Sequence, residues 1–567
     1  MLNTLYTARG EALTGTPWER YPRPQLRRDS YVNLNGDWEL TVEGQEAPFT
    51  IRLPFCPESP LSGVNRHFPE GSTLTYRRSF SLPEGFSKEK VLLHIGAADQ
   101  IAEVYVNQKP VGRHEGGYTA FTLDITDALA EQNLIEIRCT DDLRNRSMPY
   151  GKQTLKRGGM WYTPVSGIWQ SVWLESVPER YIEKLGIENR GYGVCISVTP
   201  AMEGTVEVAG LGSYPLQEGK AVISPDQPRL WSPEDPYLYS FRIVTDTDTV
   251  ESYFAIRTIE TRIFDGIPRL CLNGKPYFFH GLLDQGYWPD GIYTPAAPEC
   301  YAEDILAMKK LGFNTLRKHI KVEAEEFYYQ CDRLGMIVFQ DMVNNGDYSF
   351  LRDTALPTVR IQKCRDQNMH RDPETRQRFL QTMEETVAQL SNHPCILYWT
   401  VFNEGWGQFD SDNVYHALRK LDDTRIIDTT SGWFRRKCSD VESLHIYFGP
   451  WNQIRPGEKP VILSEFGGYA YPEKGHLFNP DHAYGYKACT SRESFQTQLL
   501  ALYRNKVLPA IDKGLCGGIC TQVSDVEDEI NGFLTYDRKV CKADEKAMTM
   551  LAAQLQKRLE ESCRQSV

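Results

Sequence analysis

Two apolar runs in the second half of the chain end on a carboxylate. Ile396-Leu397-Tyr398-Trp399-Thr400-Val401-Phe402-Asn403 leads into Glu404, and Val461-Ile462-Leu463-Ser464 leads into Glu465, with Gly467-Gly468 just beyond. Two facing carboxyl groups can cleave a glycosidic bond: one protonates the leaving oxygen while the other attacks or stabilises the anomeric carbon. At a separation of roughly 5–5.5 Å the second group is a nucleophile and configuration is retained, the first turning from acid to base toward water. Carboxylates held this close also favour each other's protonated form, which helps to load the acid. Asn403, beside Glu404, is placed to hydrogen-bond a sugar 2-hydroxyl. The plainer reading is that each glutamate caps the helix after its strand. Two such ends, with Asn403 before one and a glycine pair after the other, favour the catalytic pair.

Such a pair needs a scaffold that brings distant strand ends together. From about residue 262 apolar strands alternate with amphipathic helices. Strands are expected at 277–283, 313–317, 336–341, 395–402, 426–429, 443–446, 460–464 and 517–522. Helices are expected at 300–311, 324–334 and after Asp372-Pro373-Glu374, a cap residue followed by proline at the first helical position. Eight strands with interleaved helices suit a (β/α)₈ TIM barrel, whose catalytic residues lie at the strand C-termini. The glutamates would end strands four and seven and face each other across the mouth. Ahead of the barrel, residues 1–178 read as all-β, with short alternating runs at 38–42, 76–82, 101–106 and 168–174, as in a sandwich or jelly roll. Residues 179–261 suit a small immunoglobulin-like sandwich. The expected architecture is thus multidomain β plus α/β, with the barrel over 262–567.

Composition bounds the function. A chain of 567 residues is too long for one core, and its formal charge of −12 disfavours nucleic acid or an anionic membrane as partner. A carbohydrate substrate fits, and the aromatic share of 11% supplies rings on which sugars stack, or simply core and strand residues. The 14 cysteines form no paired metal-binding array, so no metal or other cofactor is expected. The acidic loop of Asp525, Glu527, Asp528 and Glu529 either binds a cation or is a solvated loop. There is no basic-then-apolar leader and no run long enough to span a membrane, so a cytoplasmic protein is expected, although a secreted chain trimmed of its signal would look the same.

The chain resembles glycoside hydrolase family 2, the group of β-galactosidases, β-glucuronidases and β-mannosidases. The resemblance runs through Ala97-Ala98-Asp99 and Val104-Tyr105-Val106-Asn107, then His114-Glu115-Gly116-Gly117-Tyr118, and Ser166-Gly167-Ile168-Trp169-Gln170-Ser171-Val172-Trp173-Leu174 of a sugar-binding-like sandwich. It continues through Phe254-Ala255-Ile256-Arg257-Thr258-Ile259-Glu260, Asn392-His393-Pro394-Cys395-Ile396 and Asn403-Glu404, to Leu463-Ser464-Glu465-Phe466-Gly467. It implies a retaining exo-β-glycoside hydrolase with Glu404 as general acid/base and Glu465 as nucleophile. It further implies that Tyr447, in His445-Ile446-Tyr447, orients Glu465 and that Arg317 holds its carboxylate. Trp406 and Trp433 stack on sugar or pack as core or lid. Where relatives carry a histidine after the first barrel strand this chain has Gln285, with Asp284 beside it. After strand two, Arg317-Lys318-His319 replaces Ser-His, and after strand three Gln340-Asp341 replaces an acidic pair. The Asn-x-Lys motif with which β-glucuronidases read a uronate is absent from Glu529-Ile530-Asn531-Gly532-Phe533, so a uronate would depend on Lys318 or Lys321. A β-galactosidase-like enzyme is therefore expected, with β-glucuronidase or another family β-glycosidase, an endo-acting glycanase, and a non-catalytic carbohydrate-binding protein as alternatives. Relatives are often oligomeric, so a homo-oligomer remains open, and no interface is assignable from the chain.

Overall fold

A computed structural model describes residues 2–358 and 365–564. Alternation decides the first unit. In Gly36–Val42 every second residue is buried, which turns Trp38, Leu40 and Val42 inward. That strand belongs to a six-stranded sheet facing a four-stranded one, and Ile51, Tyr76, Leu93, Val104, Ile137 and Leu174 fill the space between them. A second sandwich follows, of three and four antiparallel strands, cored by Ile187, Ile196, Val206, Phe241, Ile243 and Phe254. Leu26 joins this second core, although it precedes the first sandwich in the chain.

Eight parallel strands then form the barrel: β1 (Phe279–Asp284), β2 (Thr315–Lys318), β3 (Ile337–Asp341), β4 (Ile396–Asn403), β5 (Ile426–Ser431), β6 (Glu442–Ile446), β7 (Val461–Gly467) and β8 (Leu515–Thr521). They are buried on both faces, as helix-covered parallel strands must be; all eight residues of β4 are buried. The hydrogen-bonded order is β5-β4-β3-β2-β1-β8-β7-β6. Side chains bridge the remaining seam between β5 and β6: Ser431 Oγ lies 3.4 Å from Ser443 Oγ, and Ser464 Oγ sits 3.0 Å and 2.7 Å from the two. The expected helices form at Glu299–Lys310, Glu325–Leu334 and Pro373–Leu390, the last capped by Asp372, whose carboxylate accepts from Thr375 N at 2.8 Å.

The sandwiches are fastened to the barrel by buried polar ties. Asp332 accepts from Tyr253 OH of the second sandwich and lies against His393 Nδ1, both at 2.7 Å, while its other oxygen accepts from Cys395 N at 2.8 Å. The loop around residues 146–153 of the first unit lies along the segment after β3. Tyr150 N donates to Asn344 O at 3.1 Å, Tyr150 OH to Gly346 O at 2.9 Å, and Asn345 Nδ2 to Ser147 O at 2.7 Å. Gly151 makes the closest approach. Its φ is +61°, and a Cβ there would stand 2.9 Å from Tyr118 OH and 3.0 Å from Ile320 O.

Candidate active site

Glu404 lies one residue past β4, with φ +51° and its N–H held by Ser431 O of β5 at 2.9 Å. That left-handed turn aims the side chain into the mouth instead of along the strand. Gly405 follows at φ +78°, where a Cβ would collide with the Phe434 ring. Glu465 lies within β7 at a register shift against β8, so it too points inward. One oxygen of each glutamate and Nδ1 of His445 lie within 4.8 Å of one another. Oxygens this near suit the close carboxyl pairing of retaining glycosidases.

The two carboxylates are held differently. Glu465 receives Tyr447 OH on Oε2 at 2.7 Å and Arg317 Nη1 on Oε1 at 3.2 Å. Glu404 meets His445 Nδ1 at 2.8 Å, and His445 Nε2 rests 3.0 Å from Ser431 Oγ. Burial by itself would push the Glu465 pKa up, but His445, Arg317, the Tyr447 hydroxyl and Lys152 together hold it below the ordinary carboxyl value. Arg317 is itself fixed by paired bonds to Asp341 at 2.9 and 3.0 Å. It also donates to Asn403 Oδ1 at 2.9 Å, which leaves Asn403 Nδ2 buried, without a partner among the described residues, at the place expected for a substrate contact.

The remaining sequence candidates fall into two groups. Gln285 and His319 line the mouth. Gln285 Oε1 accepts from His319 Nδ1 at 2.9 Å, and its Nε2 donates to Gln522 at 2.8 Å. His319 Nε2 lies 3.6 Å from Glu465, and burial with the positive fields of Lys152 and Arg317 pushes the ring's pKa well down. Trp433 is half-buried with its ring 5.6 Å from that of His445. The others serve the scaffold. Asp341 is spent on Arg317. Asp284, expected at the sugar, instead accepts from Lys318 Nζ at 2.7 Å and from Gly286 N at 3.0 Å. Lys318 and Lys321 share Glu323, both at 3.0 Å, so neither is free to read a substrate carboxylate. Trp406 is fully buried, stacked on Trp161 at 5.1 Å with Tyr348 at its edge, and packs as a wall. The acidic loop does not converge on a cation. Asp525 pairs with Lys542, Asp528 with Arg157, Glu527 accepts from Thr163 N, and Glu529 is held by Tyr162 OH and Asn531 Nδ2. Among the described residues only Glu404, His445 and Glu465 are close enough to share a metal, and the 2.8 Å between His445 and Glu404 is direct hydrogen-bond spacing.

Sequence reasoning missed the contribution of the first unit. Lys152, Trp161 and Tyr162 reach the barrel mouth from a stretch without strands, where Gly151, Gly158 and Gly159 let the backbone pass close to the barrel. The glycine pair Gly158-Gly159 just before Trp161-Tyr162 was the available signal.

Paired carboxylates at the C-terminal rim of a (β/α)₈ barrel, fed by a sandwich domain, define the class as glycoside hydrolases. Family comparison agrees. The TIM barrel domain of glycosyl hydrolases family 2 matches residues 268–560, the glycosyl hydrolase 2 galactose-binding domain-like model matches 64–157, and a further family 2 model matches 198–257. The chain belongs to glycosyl hydrolase family 2. It is 26% identical to a β-galactosidase of Thermoanaerobacter pseudethanolicus over 78% of this chain, and spans 62% of that protein's length. It is 24% identical to the β-glucuronidase of Homo sapiens, over 71% of this chain and 69% of that one. In fold it is similar to a β-D-glucuronidase from Dictyoglomus thermophilum (TM-score 0.72, 20% identity, 95% and 98% of the two chains). It is also similar to a β-galacturonidase from Eisenbergiella tayi (TM-score 0.68, 19% identity, 95% and 99%). No helix among the described residues is long and apolar enough to cross a membrane.

Proposed function

We propose that this chain removes a terminal β-linked sugar with retention of configuration. The observation that carries the reading is the close carboxylate pair with its unequal supports: Glu465 is gripped by a cation and a hydroxyl, while Glu404 is met by a histidine. A carboxylate kept ionised is suited to attack, so Glu465 forms a bond to the anomeric carbon as the glycosidic C–O bond breaks and Glu404 gives its proton to the departing oxygen. In the second step Glu404 takes a proton from water, the water oxygen displaces Glu465, and the sugar leaves with its β-configuration. Asn403, oriented by Arg317, steadies the 2-hydroxyl. The first-unit loop walls one side of the mouth, which favours a chain end over an internal linkage. The steps need no cofactor, and a β-galactoside-like substrate is the glycone proposed.

A panel of nitrophenyl β-glycosides tests this, with nuclear magnetic resonance to read the anomer first released. Glu465→Ala should lose on the order of 10⁴-fold or more in kcat, and azide should partly restore turnover as a glycosyl azide of inverted configuration. Normal activity in Glu465→Ala, or an α-anomer as first product, would overturn the assignment.

A further inference from the structure

One cation at the mouth has no counter-ion in contact. Lys152 is 5% exposed, and among the described residues its Nζ makes no hydrogen bond or ion pair. It sits between two rings, 5.1 Å from the Trp406 ring centroid and 5.8 Å from that of Tyr162. The hydroxyl of Tyr162 bonds Glu529, a carboxylate of the loop that follows β8. The cation and this acid therefore flank a common ring without joining. Burial lowers the Lys152 pKa and raises that of Glu529, and the attraction between the two groups opposes both shifts. Its position is rigid: Gly151 abuts Ile320 O, and the next residue, Gln153, donates to Asp99 at 2.8 Å and Tyr118 at 3.1 Å.

An ammonium with so little exposure and no protein acceptor among the described residues gains when a substrate atom accepts from it. A hydroxyl can accept from Lys152 and donate to Glu529 at once. A carboxylate would gain from Lys152 but meet Glu529 and Glu465 with like charge. The other basic groups at the mouth are committed, Arg317 to Asp341 and Lys318 and Lys321 to Glu323.

We propose that Lys152 and Glu529, one from the first unit and one from the barrel, form a donor–acceptor pair that reads a hydroxyl of a neutral glycone and rejects a uronic acid. The inference rests on the glycosidase reading above and names its substrate class. Attraction comes from the hydroxyl held between opposite charges, and discrimination from the added repulsion on a carboxylate.

The test compares matched neutral and uronic nitrophenyl β-glycosides on the wild type, Lys152→Met and Glu529→Gln, with calorimetric binding of a neutral and a uronic iminosugar as a readout independent of turnover. The wild type should favour the neutral series by on the order of 10²-fold or more in kcat/KM. Lys152→Met should lose about 10²-fold on the neutral series, mainly through KM, and gain nothing on uronides. Glu529→Gln, which keeps the shape under Tyr162, should narrow the neutral-to-uronic ratio at least roughly tenfold, because a carboxylate then meets Lys152 with one opposing charge fewer. A wild-type preference for uronides, or an unchanged ratio in Glu529→Gln, overturns the proposal. If no glycoside is turned over, yet neutral iminosugar binding falls in Lys152→Met, the hydrolase reading fails and the specificity pair stands. Binding indifferent to Lys152 removes the pair.

Discussion

At the scale of single residues, the site separates two carboxylates by their neighbours and not by their own chemistry. Glu465 is as buried as a core side chain, yet His445, Arg317 and Tyr447 outweigh that burial and keep it ionised below the ordinary carboxyl range. The sign for activity follows. A nucleophile with a depressed pKa is competent above that pKa, and its contribution is lost as pH falls through it. The acid limb of kcat/KM should therefore lie below the usual glutamate range of about 4.3. Tyr447→Phe removes a hydrogen bond to the charged form and should move that limb upward by up to about one unit, with a lower plateau. A pH–rate profile on an activated glycoside measures both, and an unmoved limb would show that Tyr447 does not act on Glu465. Arg317 works at the same scale with more partners, since one guanidinium fixes Glu465, Asn403 and Asp341 together.

At the scale of elements, the strands aim these side chains and the turns after them decide what is reached. The eight barrel strands and three of the helices were legible in the sequence because long apolar runs and a 3.6-residue period are local signals. So was the glutamate pair, since each ends such a run. The residues resembling the family's supports, Arg317 and Tyr447, do contact Glu465. Less legible were polar residues whose partners lie in other elements. Asp284 and Asp341 are candidates for binding or supporting the substrate when read along the chain, and each neutralises a buried cation on a neighbouring strand. Trp406 looks like a stacking platform until Trp161 covers it. The Lys152 loop was hard to read because it forms no strand and part of its contacts are to the barrel, far along the chain. Its docking depends on Gly151, where a branched side chain would meet Tyr118 and Ile320 and the left-handed backbone costs about 1–2 kcal/mol. Gly151→Val should lose on the order of 10²-fold in kcat/KM while the melting temperature falls by only a few degrees, because the strain displaces a loop and not a core. Full activity in that variant would show that the loop's position is not needed.

At the scale of the whole molecule, the catalytic mouth belongs to no single unit. The barrel carries the glutamates, the first unit supplies Lys152, Trp161 and Tyr162, and buried ties such as Asp332 with Tyr253 and His393 hold the second sandwich to the barrel. Charge follows the same division, since Lys152 comes from the first unit and Glu529 from the loop after β8. The Trp161–Trp406 stack records this assembly in an optical form. The two indoles, one from each side of the junction, lie 5.1 Å apart at an interplanar angle of 26°. Neighbouring rings at that spacing share their electronic excitation, which splits the absorption into a circular dichroism couplet in the far ultraviolet. The difference spectrum between the wild type and Trp161→Phe should show that couplet, and a featureless difference would contradict the stack. The molecule thus carries its own optical gauge of whether its front domain is seated, legible without any substrate.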